Sequence, residues 1–284
     1  MFARRELLMP APAPPDEIRA GQSLELLKAL HILTRDGALN QDSRRKLKQV
    51  YHLYNFIEPL LLEAQQAHAD LHLVDHGAGK SYLGFILYDL FFRLRGGSSS
   101  GVWSIETRAE LVERARELAD RLGFAGMQFV NLSVADAIAA RELPARVDLV
   151  TALHACDTAT DDAISFALAR QAKFLALVPC CQAELAATLR KHKATALAAA
   201  LGEVWRHPLH TREFGSHLTN VLRCLRLQAH GYEVRVTELT GWEHALKNEL
   251  IIAVYKDLPT RQPARRLAEL LTLFGLDELR ERFA

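Results

Sequence analysis

LHLVDHGAGKSYLGF, residues 71–85, is the stretch whose reading decides the fold. Leu71 to Asp75 is a short apolar run closed by an acid, the pattern of a buried parallel strand. His76-Gly77-Ala78-Gly79 follows as a tight turn, because glycines at 77 and 79 permit backbone angles and a close ligand approach that a side chain forbids. From about Ser81 the pattern turns helical, and the first turn of that helix directs unpaired N–H groups into the bend. Strand, glycine turn and helix in this order make a nucleotide-type cofactor site at the first strand of a doubly wound sheet.

Three cofactor classes compete for that turn. Gly79-Lys80-Ser81 supplies the end of a P-loop, but Val74 stands where its first phosphate-cradling glycine belongs. Gly77 and Gly79 begin a dinucleotide G-x-G-x-x-G, but Tyr82 replaces the third glycine. Val74-Asp75-His76-Gly77-Ala78-Gly79-Lys80-Ser81 satisfies (V/L)-(D/E)-x-G-x-G-x-(G/S) throughout, and on these residues the chain resembles the class I S-adenosylmethionine-dependent methyltransferases. The resemblance implies a seven-stranded Rossmann-like sheet with the last strand antiparallel. It also implies S-adenosyl-L-methionine as cofactor and methyl transfer as the reaction.

Composition fits an enzyme of this kind. A chain of 284 residues can bury a substantial core. With 35 basic and 34 acidic residues it is no polycation, so nucleic-acid affinity has to come from local patches. Two of four cysteines are adjacent, Cys180 and Cys181, which is not a disulfide framework and suits a reducing compartment. The N-terminal residues lack a signal-length apolar run, and no stretch reaches membrane-spanning length, so the cytoplasm is expected and a membrane is not.

The pattern divides into an N-terminal helical segment (1–70), an α/β methyltransferase domain (71–256) and a helical tail (257–284). In the first, Ser23 caps a helix with Leu24, Leu27, Leu30 and Leu33 on one face, and Asp36-Gly37 breaks it. Asp42 or Ser43 caps a second helix, which Pro59 should bend or end. This segment is expected over the cofactor mouth. Strands are expected at 71–75, 102–106, 127–131, 147–153, 174–178, 233–239 and 250–255, with helices between them. Residues 203–217 read as irregular, ahead of a helix at 217–230.

Ligands in such sheets sit beyond the carboxyl ends of the strands. The resemblance therefore implies cofactor contacts from Asp75, Gly77, Ala78, Gly79, Ser81 and Tyr82 in the first turn, and from Glu106 and Thr107 after the second strand. Asp75 orders the turn or meets the methionine ammonium through water. Glu106 accepts both ribose hydroxyls, or else simply caps the next helix. Ser133 and Asp136 follow the third strand on the adenine side, where they are equally ordinary turn residues. His154, after the fourth strand, faces cofactor and acceptor alike.

The acceptor side is built from His154-Ala155-Cys156-Asp157 and Val178-Pro179-Cys180-Cys181-Gln182. The (D/N/S)-P-P-(Y/F) element of amine-directed nucleic-acid methyltransferases is absent, which argues against N6-adenine-type chemistry. Cys180 and Cys156 stand where cytosine-C5 RNA methyltransferases carry thiols, but the surrounding motifs differ. The Pro-Cys-Cys element is more similar to that of a little-characterised methyltransferase branch and of a tRNA 2′-O-methyltransferase family. The candidate catalytic residues are therefore His154, Asp157, Cys180 and Cys181, with a soft pocket lining as the plainer role of the thiols. Asp157 is the group able to take a proton, whereas Asp161 and Asp162 lie in the next helix's first turn as dipole partners. A zinc site from His154, Cys156, Cys180 and Cys181 lacks ligand-pair spacing, and no metal is expected.

Substrate contacts are assigned to three places. Trp242, Glu243, His244 and Lys247 lie in the loop joining the last two strands, on the acceptor edge. Arg212 and His217 belong to a lid in the 206–220 stretch. Arg44, Arg45 and Lys48 form a basic face on the second helix, suited to phosphates. RNA is thus the expected acceptor, ahead of a small molecule or protein side chain, with a nucleotidase or a non-catalytic cofactor-binding scaffold as further alternatives.

Overall fold

The computed structural model describes residues 17–153, 155, 157–179, 183–191, 203–204, 206–239 and 249–284, without the side chains of 134 and 135. The chain opens with α1 (Leu24–Ala29) and α2 (Gln41–Ala67), then β1 (His72–His76) and α3 (Tyr82–Leu87). A π turn (Tyr88–Phe92) and α4 (Arg93–Arg95) continue α3. There follow β2 (Gly101–Ile105), α5 (Ala109–Leu122), β3 (Met127–Val130), α6 (Val134–Ala137), β4 (Leu149–Ala152) and α7 (Thr158–Ala169). The second half holds β5 (Phe174–Leu177), α8 (Ala183–Lys191), α9 (Pro208–Ala229), β6 (Tyr232–Glu238) and β7 (Glu249–Tyr255). It closes with α10 (Arg261–Leu273) and α11 (Arg280–Phe283).

The seven strands form one sheet in the order β3-β2-β1-β4-β5-β7-β6. Strands β1 to β5 pair in parallel, while β7 runs antiparallel to both β5 and β6. This is the mixed sheet the resemblance implies. Because side chains alternate along a strand, neighbours divide between the faces. Leu73, Leu149 and Phe174 join a core with α1, α2, α3 and α5. Val74, Val150 and Leu175 join another with α7 and Leu227 of α9. A third cluster packs α8, α9 and α10 together with Phe283 of α11. Among the described residues no helix is long and apolar enough to cross a membrane.

The strand bounds differ from expectation by a residue or two, but three helical expectations need correction. Pro59 does not end the second helix: α2 runs through it to Ala67. Pro59 and Asn55, whose carbonyl loses its helical donor, are both exposed, so water can take that bond. The α2 cap is Asn40, whose side chain accepts from Ser43 N at 2.8 Å, not Asp42 or Ser43. The 203–217 stretch is not an irregular lid over its whole length. Helix α9 begins at Pro208, where a missing N–H costs nothing and φ is already helical. The N-terminal segment, expected over the cofactor mouth, buries Leu26, Leu27, Leu47, Leu53 and Ile57 in the core on one sheet face.

Candidate active site

The bend after β1 is held from inside. Gly77 and Gly79 have φ of +60° and +59°, and Ser81 also has positive φ, 54°. The Ala78 N–H donates to Ile105 O of β2 at 3.0 Å, and Ser81 N–H closes back on Ala78 O at 2.7 Å. A Cβ on Gly77 would lie 3.2 Å from Cα and Cβ of Ala155, so the β1 and β4 loops touch there. Among the described residues, a Cβ on Gly79 would meet only the Arg108 guanidinium, at 3.9 Å, so they leave this side of the bend open. Ser81 turns inward, its Oγ 2.5 Å from Ser104 Oγ. Tyr82 is half-buried and packs on the core, and burial raises its phenol pKa.

Two acids flank the bend and face different ways. Asp75, 2% exposed, accepts the Thr151 hydroxyl at 2.7 Å and a backbone N–H of Gly84 beneath α3. Burial nonetheless pushes its carboxyl up to about 7. Glu106 stands one residue past β2 and accepts Gly79 N–H at 2.8 Å, directly against the glycine turn. Its other donors are Arg108 N, Nε and Nη2 and the Thr107 hydroxyl. Burial raises its pKa, but the Arg108 and Gly79 hydrogen bonds and the Arg108 charge outweigh that and hold it down to about 2. Asn131, which sequence reasoning passed over, ties the β3 end to this acid by donating to Glu106 O at 2.8 Å. Ser133 and Asp136 bond each other, with Ser133 Oγ donating at 2.5 Å and accepting from Asp136 N at 3.1 Å, which caps α6.

His76 lies under the bend, fully buried, and among the described residues neither ring nitrogen has a hydrogen-bond partner. It meets the Phe166 ring edge-on at 4.5 Å, and burial pushes its pKa down to about 3.

On the acceptor side, Asp157 precedes α7 at φ 50°. Its Oδ1 accepts Ala183 N–H at 2.9 Å and Glu184 N–H at 3.1 Å, so the carboxylate sits on the first turn of α8. The loops after β4 and β5 are therefore joined across the elements that carry HACD and PCCQ. Asp161 lies in the first turn of α7, where it was expected, and is also half of a buried ion pair with Arg223 of α9. Arg223 also donates to Asp157 O at 2.8 Å, and its Nη1 bonds Asn220 Oδ1 at 3.2 Å. Asn220 in turn donates to Glu249 Oε2, at the start of β7, at 2.9 Å. Asp162, the other expected dipole partner, pairs with Arg282 at 3.3 Å. Arg223 and Asn220 were missed, although polar residues beside Leu218 and Leu222 on the buried face of a helix are a readable signal.

A family model described as a methyltransferase domain matches residues 45–188, just over half of the chain. The chain belongs to this methyltransferase family. None of the curated proteins compared with the sequence matches it. The fold is similar to the solved structure of magnesium protoporphyrin IX methyltransferase from Synechocystis PCC 6803 with bound SAH. The two are 15% identical, with 83% of this chain and 96% of that one covered and a TM-score of 0.45. It is also similar to SAH-bound Podospora anserina methyltransferase PaMTH1 (10% identity, 83% and 88% covered, TM-score 0.44). A further similar structure is an rRNA methylase from Streptococcus thermophilus (10%, 66% and 87%, TM-score 0.40).

This methyltransferase domain takes S-adenosylmethionine as its cofactor, and the bend fits that group. The described residues leave its Gly79 side open, its backbone is left-handed at both glycines, and an ionised acid stands at the end of β2. Arg108, which covers Glu106, has a side chain 60% exposed and can swing clear. Among the described residues no three His, Cys, Asp or Glu are grouped to hold a metal. His154, Cys156, Cys180, Cys181, Trp242, Glu243, His244 and Lys247 lie outside the described residues. The 240–248 loop leaves β6 at the carboxyl edge, because β6 runs parallel to β5. Arg212 pairs with its neighbour Glu213, and His217 is exposed further along α9. Arg44 pairs with Glu17, Arg45 with Asp42, and Lys48 is exposed on α2.

Proposed function

We propose that this methyltransferase acts on RNA, with the acceptor held at the carboxyl edge between the glycine turn and the loops after β4 and β5. S-adenosylmethionine supplies an electrophilic methyl group on a sulfonium. Gly77, Ala78 and Gly79 would line its cradle, Glu106 would accept the ribose hydroxyls, and Thr107, Ser133 and Asp136 would border the adenine. Holding donor and acceptor in line supplies much of the rate in such a transfer. His154, Asp157, Cys180 and Cys181 would face the acceptor, with Trp242, Glu243, His244 and Lys247 on its outer side. Cytoplasmic action belongs to the same reading and suits a chain with a free thiol at Cys224.

The observation that supports RNA is the exposed basic face of α2. Arg44 and Arg45 are each about half exposed in their ion pairs, at 53% and 50%. Pairs that open to water contribute little, of order 0–1 kcal/mol, so phosphates can displace Glu17 and Asp42 at small cost. Those same acids, with the near-neutral net charge, favour the second reading, a small-molecule or protein acceptor. Filter binding to total RNA over a salt series separates the two. Joint reversal of Arg44, Arg45 and Lys48 to Glu should lower the salt slope by about two, from roughly 0.7 to 0.9 per lost phosphate contact. No binding at low salt, together with an unchanged nucleoside mass spectrum in cells lacking the gene, would put the second reading first.

A further inference from the structure

We propose that Arg223 is a positioning residue for methyl transfer, one that sets the acceptor-side loops relative to each other. The inference rests on the methyltransferase reading of this edge but not on the identity of the acceptor.

Arg223 is fully buried and all three of its guanidinium nitrogens are engaged. Nε and Nη2 grip both oxygens of Asp161 at 2.8 and 2.7 Å. The same Nη2 reaches Asp157 O at 2.8 Å. That last bond is informative, because Asp157 is a non-glycine residue at φ 50° and ψ −122°, a conformation that persists only when its surroundings enforce it. The enforced backbone aims the Asp157 carboxylate at Ala183 N and Glu184 N, which begin α8 immediately after the Pro-Cys-Cys-Gln element. One guanidinium therefore sets the end of the β4 loop, and through Asp157 the start of α8. Through Asn220 and Glu249 it also reaches the point where the 240–248 loop returns to the sheet. Packing alone does not call for this arrangement, since a buried ion pair can often be replaced by apolar side chains without loss of stability. A planar fork is needed because it serves a carboxylate and a main-chain carbonyl together, which an ammonium cannot do in the same geometry.

The test uses the full chain carrying Arg223→Lys, with Asp157→Ala and Asp157→Asn beside it. Hydrogen exchange should be at least tenfold faster at Ala183 and Glu184 in Arg223→Lys and Asp157→Ala. Asp157→Asn, which keeps an acceptor oxygen, should restore it to within about threefold of wild type. Calorimetric affinity for S-adenosylhomocysteine should stay within threefold in Arg223→Lys. With tritiated S-adenosylmethionine and total RNA, its kcat should fall at least tenfold while KM for the cofactor stays within threefold. Unchanged exchange at Ala183 and Glu184, or cofactor affinity falling in parallel with kcat, overturns the proposal. If Arg223→Lys does not fold, Asn220→Ala leaves the Asp161 pair intact. It cuts the link from Arg223 to Glu249, so exchange at the start of β7 should rise at least threefold while Ala183 and Glu184 stay within threefold of wild type, and no change at the start of β7 overturns the proposal too. Wild-type protein that labels no RNA refutes the RNA reading alone, because exchange and the S-adenosylhomocysteine titration still decide Arg223.

Discussion

Arg223 and Asp161 meet through both arms of the guanidinium fork, and their side chains are 0% and 3% exposed. Removing one partner leaves the other charged and buried, which typically costs about 3–5 kcal/mol. Arg223→Met should lose that much in urea denaturation. Arg223→Met combined with Asp161→Leu should lose much less than the sum of the single changes. Strict additivity in that cycle would mean that the pair does not couple as its geometry indicates.

Gly77 and Gly79 share a left-handed backbone but not their surroundings. A methyl group at either position meets a strain of about 1–2 kcal/mol. At 77 it also stands 3.2 Å from the Ala155 backbone and must push the β4 loop away. Gly77→Ala should therefore lower the melting temperature further than Gly79→Ala. It should also weaken S-adenosylhomocysteine binding at least tenfold by calorimetry. Equal losses in the two variants would remove the case for contact between the loops.

Asp75 brings a pH dependence of defined sign. Its folded pKa is about 7, against an ordinary 3.8. The folded state therefore holds the proton more tightly between those values. Its contribution to stability is complete below about pH 4 and is lost as pH rises through 7. Asp75→Asn should flatten that decline and exceed wild type at pH 8, by on the order of 2–4 kcal/mol. Parallel stability curves from pH 4 to 8 would contradict the buried, protonated carboxyl.

His76 acts in the opposite sense. A base held at about 3, against 6.5, has stability that is present above pH 6.5 and is lost as pH falls toward 3. Among the described residues its two nitrogens also lack partners, and each buried unsatisfied group costs about 1–3 kcal/mol. His76→Leu should stabilise the protein at pH 7 by about 1–2 kcal/mol and remove part of the acid sensitivity. A destabilised variant would show that the imidazole has a role that an apolar side chain cannot fill.

What could be read in advance follows from the range of the forces involved. Residues 71–85 announce their strand, turn and helix because glycine freedom, apolar runs and helix-end donors act over a few residues. The acid at 106 was legible for the same reason, since its position is counted from the end of one strand. Pro208 shows where local reading fails. The same residue suits a loop or a first helical turn, and only the packing of Leu218, Leu222 and Leu227 selects the helix.

The sequence by itself determined the α/β alternation, the glycine cradle and the residue types at the strand ends, all properties of near neighbours along the chain. Only the tertiary structure decided that the Asp157 carboxylate would lie on the first turn of α8 and that Arg223 would reach the Asp157 main-chain carbonyl from 66 residues away. Contacts across such separations leave no periodic trace. They arise because a buried charge has to find its partners wherever the fold brings them.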